Sequence, residues 1–106
     1  MRQLTPRQLK DYLPQADPPP LLLDVREPWE YEICRIDGSQ LVPMGQIHTV
    51  AGSLDPDREL VAICHHGIRS LQVARYLERI GYAQVINLQG GIDAWAREVD
   101  PQMPVY

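Results

Sequence analysis

Several hallmarks of common protein classes are missing from this sequence. No apolar stretch is long enough to cross a bilayer, so no membrane partner is expected. There is no long basic patch and the net charge is −4, which argues against nucleic acid as a partner. Residues 1–6 lack the apolar core of a signal peptide, and this predicts a cytoplasmic location. Internal repeats and low-complexity segments are also absent, which leaves a single domain over residues 1–106.

Cysteine is scarce, with Cys34 and Cys64 the only two in the chain. They do not form a Cys-x-x-Cys pair, and no set of cysteines and histidines has the spacing of a zinc site. The adjacent His65 and His66 are poorly placed to grip one metal ion together, so no metal is expected. Both thiols are expected to be free in a cytoplasmic protein. Cys34 is interpreted as a loop thiol that fills space, with a resolving role opposite Cys64 as the alternative.

The sequence does contain a regular alternation of strand-like and helix-like segments. A composition of 44% hydrophobic and 23% charged residues is typical of a globular domain. Strands are predicted at 21–25, 40–42, 59–63 and 84–88, and helices at 6–13, 28–33, 44–50, 69–80 and 92–98. This alternation predicts an α/β fold, a mostly parallel sheet with helices on both faces. Residues 99–106 are predicted to form an irregular tail.

The segment that follows the strand at 59–63 is the candidate site. Cys64 ends that strand, and ligands of open parallel sheets bind beyond the carboxyl ends of the strands. Gly67 permits a turn that directs N–H groups inward, and the helix that begins at about Arg69 points its positive end at the sulfur. Such surroundings favour a thiolate and bind anions. The alternative is a cysteine that is simply buried in the core.

The length of this loop limits what the cysteine can carry. Only the residues 65–68 separate Cys64 from Arg69, whereas phosphate-binding loops of this kind usually hold one residue more. A persulfide places its added atom only about 2 Å from the cysteine sulfur, the length of an ordinary S–S bond. The short loop therefore favours a single sulfur atom as cargo. Activity as a small phosphatase or an arsenate reductase is the less favoured function.

Four segments together resemble the single-domain rhodaneses, which are thiosulfate sulfurtransferase-type proteins. The segments, in family order, are 22–27, 36–38 with 42–43, 64–70, and 88–91 with Trp95. The resemblance implies a parallel five-stranded sheet flanked by helices on both faces. It also implies a strand near Gln3 and Leu4, where the residue pattern alone predicts none.

The resemblance implies double-displacement chemistry at Cys64. Cys64 would take sulfur from thiosulfate or another donor, become a persulfide, and pass the sulfur to cyanide or to a small-molecule or protein thiol. The residues that would hold the persulfide through their N–H groups are His65, His66, Gly67, Ile68 and Arg69, with Ser70 at the start of the helix. The side chains of His65, His66 and Arg69 would face the donor anion. No metal or organic cofactor is expected.

Two further residues near the site, Asp24 and Arg26, follow a buried strand. They could be catalytic, but we interpret them as structural, with hydrogen bonds and an ion pair to Glu27 or Glu30. Two tryptophans, Trp29 and Trp95, are predicted to anchor the core. The sequence leaves open whether the chain is an enzyme or a sulfur carrier between proteins, because both need the same persulfide.

Overall fold

Strands and helices alternate along the whole chain, and the computed structural model describes residues 1–106. In chain order the elements are β1 (Arg2–Leu4), α1 (Pro6–Tyr12), β2 (Leu21–Asp24), α2 (Pro28–Ile33), β3 (Gln40–Leu41), α3 (Ile47–Val50), β4 (Leu60–Ile63), α4 (Ile68–Arg79), β5 (Val85–Leu88) and α5 (Gly91–Glu98). Short 3-10 turns lie at Leu13–Gln15, Met44–Gln46 and Ala51–Ser53. None of the helices has the length and apolar character that a bilayer crossing requires.

The five strands form one sheet in the order β1-β5-β4-β2-β3, and every neighbouring pair is parallel. The middle strand is β4, whose Val61 lies opposite Leu22 on one side and Ile86 on the other. All four residues of β4 are buried. A central parallel strand is covered on both faces, which explains why its sequence is a continuous apolar run. The predicted α/β fold is therefore confirmed.

Two apolar cores cover the two faces of the sheet, because successive strand residues point to opposite sides. One core joins Leu23, Leu60, Ala62 and Val85 to Ile47 of α3 and to Val73, Ala74 and Leu77 of α4. The other joins Leu22, Val61, Ile63, Ile86 and Leu88 to Leu9 of α1 and to Ile92 and Trp95 of α5. The predicted helical cover on both faces is thus present.

The strand β1 is the element that the residue pattern misses and the resemblance implies. It lies at the edge of the sheet, where Gln3 pairs with Asn87 of β5. Arg2 and Gln3 are exposed and Leu4 is half-buried, so the segment has no apolar signature. Backbone hydrogen bonds to β5 hold it in place, and these are independent of side-chain pattern.

The structure corrects the end of the first helix and the burial of one tryptophan. The first helix ends at Tyr12 rather than Leu13, and the chain continues through a 3-10 turn in which Pro14 occupies an early position that needs no N–H. Trp29 does not anchor the core, because 60% of its surface is exposed, whereas Trp95 is only 7% exposed and does so. The buried residue of α2 is Glu30 instead.

Candidate functional site

The Cys64 sulfur lies where β4 ends and α4 begins. Cys64 is 1% exposed, and the N–H of Gly67 donates a hydrogen bond of 3.0 Å to its Sγ. Gly67 is the residue before α4 and has a φ of +93°, a left-handed conformation that glycine adopts without strain. The sulfur therefore sits against the first turn of a 12-residue helix, whose positive end stabilises negative charge. This is the arrangement that the sequence predicted for the loop.

Backbone N–H groups at the start of α5 hold the loop that follows β4. The N–H of Ile92 donates to the carbonyl oxygen of Cys64 at 2.8 Å, and the N–H of Asp93 donates to that of His65 at 3.0 Å. In a trans peptide the N–H of the next residue points away from the carbonyl. The N–H groups of His65 and His66 consequently point away from α5, and neither donates to an acceptor within the protein. They are available to a bound group.

Gly91 makes this close approach possible. A Cβ at position 91 would lie 2.5 Å from the carbonyl oxygens of both Cys64 and His65, so no larger residue fits without moving the loop. The same glycine has a φ of +63°. A Cβ at Gly67 would lie 2.9 Å from the nitrogen of Gly90. The glycines of the two loops are packed backbone against backbone, and this fixes the loop that carries the cysteine.

A buried polar pair fastens the beginning of α4 to the sheet. Ser70 donates to Oδ1 of Asn87 at 2.6 Å, and the Asn87 amide donates to the carbonyl of Gly67 at 3.3 Å and to Gln3 at 3.0 Å. Ser70 lies in the first turn of the helix, as its sequence position predicted, whereas Asn87 was not among the predicted site residues. Asn87 could have been found from the sequence, because it is a polar residue within the otherwise apolar strand β5. A buried amide without a hydrogen-bond partner there would be costly.

Asp24 and Arg26 form a buried ion pair between the end of β2 and α2. The Nη2 of Arg26 lies 2.8 Å from Oδ2 of Asp24, and both side chains are fully buried. Arg26 also donates to the carbonyl oxygens of Glu30 at 3.3 Å and Cys34 at 2.6 Å. The expected ion pair of Arg26 with Glu27 or Glu30 is therefore wrong. Asp24 is its partner, because the Glu30 carboxylate is taken by another arginine.

That other arginine is Arg69, whose side chain the family resemblance implied would face a donor anion. Its Nη1 and Nη2 donate to the two carboxylate oxygens of Glu30 at 2.7 and 2.9 Å. The side chain of Glu30 is 3% exposed and that of Arg69 is 35% exposed. The hydrogen bond from Arg69 is the main cause that lowers the pKa of Glu30 to about 2, helped by the Glu27 N–H and by Tyr106 and opposed by burial. The charge of Arg69 is thus neutralised inside the protein.

Tyr106, from the irregular tail, also lies at the site, and nothing in the local sequence predicted this. Its hydroxyl donates to Glu30 at 2.8 Å and accepts from Nη1 of Arg26 at 2.9 Å. Its ring stacks on His65 with centroids 3.8 Å apart and meets Trp29 edge-on at 5.8 Å. Burial is the main cause that raises the pKa of Tyr106 to about 12. The tail is irregular as predicted, but it covers one side of the site.

The two histidines of the loop differ in their surroundings. His65 is half-buried under Tyr106, its ring lies 3.9 Å from that of His66, and its Nε2 has no hydrogen-bond partner. Burial, followed by the charge of His66, lowers the pKa of His65, so His65 is neutral at neutral pH. His66 is exposed, and so is Ile68, which is 69% exposed. These residues belong to the loop that follows Cys64, and their part in holding a persulfide stays a prediction.

Cys34 is a buried, free thiol at the end of α2. Its Sγ lies 3.9 Å from Nη1 of Arg26, and it packs in the core that includes Ile36 and Trp95. No group of three or more His, Cys, Asp or Glu residues is arranged to hold a metal ion.

Comparison with known proteins identifies relatives along the whole chain. MoeZ of Mycobacterium tuberculosis, named as an adenylyltransferase and sulfurtransferase, is 39% identical over 105 residues; these are 97% of this chain but only 26% of MoeZ. YtwF of Bacillus subtilis, named as a sulfurtransferase, is 34% identical over 102 residues, 96% of this chain and 97% of YtwF. The crystal structure of a rhodanese-like domain protein from Staphylococcus aureus superposes with a TM-score of 0.84 at 29% identity. It covers 100% of this chain and 99% of that one.

The sequence model of the rhodanese-like domain family matches residues 5–98 of this chain, which include the whole loop from Cys64 to Ser70. The match agrees with the parallel sheet, the order of its elements and the full-length similarity to YtwF. This chain therefore belongs to the rhodanese-like domain family.

Proposed function

We propose that this domain transfers sulfane sulfur by carrying it as a persulfide on Cys64. The observation that supports this most directly is the position of the Cys64 sulfur at the N-terminus of α4, within a hydrogen bond of Gly67 and beside the unpaired N–H groups of His65 and His66. These donors suit a negatively charged terminal sulfur. Relatives named as sulfurtransferases support sulfur transfer as the general activity.

The proposed reaction has two displacements. The Cys64 thiolate attacks the outer sulfur of the donor, an S–S bond forms to Cys64, and the rest of the donor leaves with the electron pair of the broken bond. A thiolate or cyanide then attacks the terminal sulfur of the persulfide and takes it, which returns the Cys64 thiolate. No external oxidant or reductant is consumed. Because the sulfur is carried covalently, the reaction calls for no metal or organic cofactor.

The donor in this proposal is thiosulfate or another sulfane compound, and the acceptor is cyanide or a thiol on a small molecule or a protein. A protein donor and acceptor would make the domain a sulfur carrier rather than a free-standing enzyme. The short loop between Cys64 and Arg69 favours sulfur over a phosphoryl group as cargo.

Intact-mass measurement after incubation with a sulfane donor tests the proposal. The wild-type chain is expected to gain the mass of one sulfur atom, and the gain should disappear on addition of cyanide or a thiol. The variant Cys64→Ser should gain nothing, whereas Cys34→Ser, which removes the other thiol, should still gain one sulfur. Loss of the gain in Cys34→Ser alone, or turnover of p-nitrophenyl phosphate without any sulfur gain, would contradict the proposal.

A further inference from the structure

The charges around the Cys64 loop cancel in pairs. Arg69 is bonded to Glu30, Arg26 to Asp24, and Arg97 to Asp93. Of the two loop histidines, His65 is neutral at neutral pH and His66 is exposed. Each of these three arginines is therefore matched by a carboxylate, and Arg69, the arginine of the loop itself, is not left free to meet a donor.

The N-terminus of α4 adds a small positive potential near Cys64, and the negative charge of the cysteine thiolate already offsets it. The N-terminus of α4 is equivalent to about half an elementary charge. The thiolate of Cys64, which the proposed function requires, carries a full negative charge next to that helix end. A donor with two negative charges would approach a site that has no net positive charge left to attract it. A donor with one negative charge meets about half of that repulsion.

We propose that Glu30, by neutralising Arg69, sets the donor class of the site and makes it favour singly charged sulfane donors over the thiosulfate dianion. The inference rests on the proposed sulfur transfer and assigns Glu30 as a specificity-determining residue. Glu30 is suited to this because it is held from three sides: by the Arg69 guanidinium, by the Tyr106 hydroxyl at 2.8 Å and by the Glu27 N–H at 3.0 Å. A movement of its carboxylate away from Arg69 would also disturb the hydrogen bonds to Tyr106 and Glu27.

Two donors of similar shape separate the effect of charge from that of reactivity. Methanethiosulfonate carries one negative charge, and thiosulfate carries one more because an oxygen anion replaces the methyl group. With the first donor the Cys64 thiolate takes the outer sulfur and methanesulfinate leaves; with the second, sulfite leaves. The measured quantity is the rate constant for sulfur gain by the protein with each donor, followed by intact mass. The ratio of the two rate constants reports the preference.

The variant Glu30→Gln should shift this ratio toward thiosulfate by about tenfold, the order expected for one more unit charge at a protein surface. The matched control is Glu32→Gln, which removes the same charge from an exposed residue of α2. It should leave the ratio unchanged. An unchanged ratio in folded Glu30→Gln, or an equal shift in Glu32→Gln, would overturn the inference.

A second measurement needs no variant and decides the question even if Glu30→Gln fails to fold. In the wild-type protein, the rate with thiosulfate should rise or stay level as KCl is added, because salt screens the repulsion between the dianion and a site without net positive charge. Any fall of this rate with salt would show a net attraction and would overturn the inference. Absence of sulfur gain with both donors in the wild type would instead refute the proposed function itself. The two failures are thus distinguishable.

Discussion

Replacement of Glu30 by Gln should remove an acid-sensitive part of the stability of this fold. The pKa of Glu30 is lowered from an ordinary value of 4.5 to about 2 in the folded protein, chiefly by the hydrogen bonds from Arg69. A carboxyl with a lowered pKa stabilises the fold fully above its unfolded pKa and loses that contribution as the pH falls through its folded pKa. The contribution of Glu30 is therefore complete above about pH 4.5 and declines toward pH 2.

The magnitude follows from the size of the shift. One pKa unit is worth about 1.4 kcal/mol, so the change from 4.5 to about 2 corresponds to about 3 kcal/mol of unfolding free energy. The low exposure of Glu30, 3% of its side chain, means that water screens this interaction little. At neutral pH we expect Glu30→Gln to be less stable than the wild type by about 3 kcal/mol, and the two proteins to converge as the pH falls.

Urea unfolding at a series of pH values, with tyrosine and tryptophan fluorescence as the signal, measures this difference. The control is Glu32→Gln, whose exposed side chain makes no ion pair, and its pH dependence should follow that of the wild type. A difference between wild type and Glu30→Gln that stays constant from neutral pH to the lowest pH at which both proteins fold would refute the reasoning.

Three further predictions concern packing around the site. Gly91→Ala should lower the free energy of unfolding by about 1–3 kcal/mol in urea, because the new Cβ would clash with two loop carbonyls. The control Gly52→Ala, whose Cβ would meet open space, should change that free energy by less than about 0.5 kcal/mol. Trp95→Ala should cost about 3–5 kcal/mol and Trp29→Ala far less; equal losses would contradict the difference in burial. The raised pKa of Tyr106, about 12, means that its stabilising effect is complete below pH 10 and is lost as the pH rises toward 12. Tyr106→Phe should lack this alkaline dependence in thermal melts, and an identical profile would count against the buried hydroxyl.

Much of the fold could be predicted from local sequence. Buried parallel strands such as β2 and β4 are continuous apolar runs, and a glycine after β4 marks the turn into α4. The cysteine at that turn is followed within a few residues by Gly67 and α4, so its place at the helix N-terminus could be predicted locally, whereas the contacts with α5 that hold the loop could not. The edge strand β1 lacked such a signal, because its side chains face solvent and only its backbone pairs. Burial of Trp29 was wrongly predicted, because the side of a short helix that meets the core depends on how that helix is docked.

The electrostatic character of the site was decided only by the tertiary structure. Arg69 and Glu30 are separated by 39 residues, and Tyr106 and Glu30 by 76. Local patterns specify what each residue can do but not which distant partner it meets, because that depends on how α2, α4 and the tail pack against one another. From its sequence Arg69 was a cation available to a donor, and in the folded protein it is one half of a neutral pair. The place of Cys64 at a helix N-terminus thus follows from a short local motif, whereas the charge around it depends on contacts between distant segments.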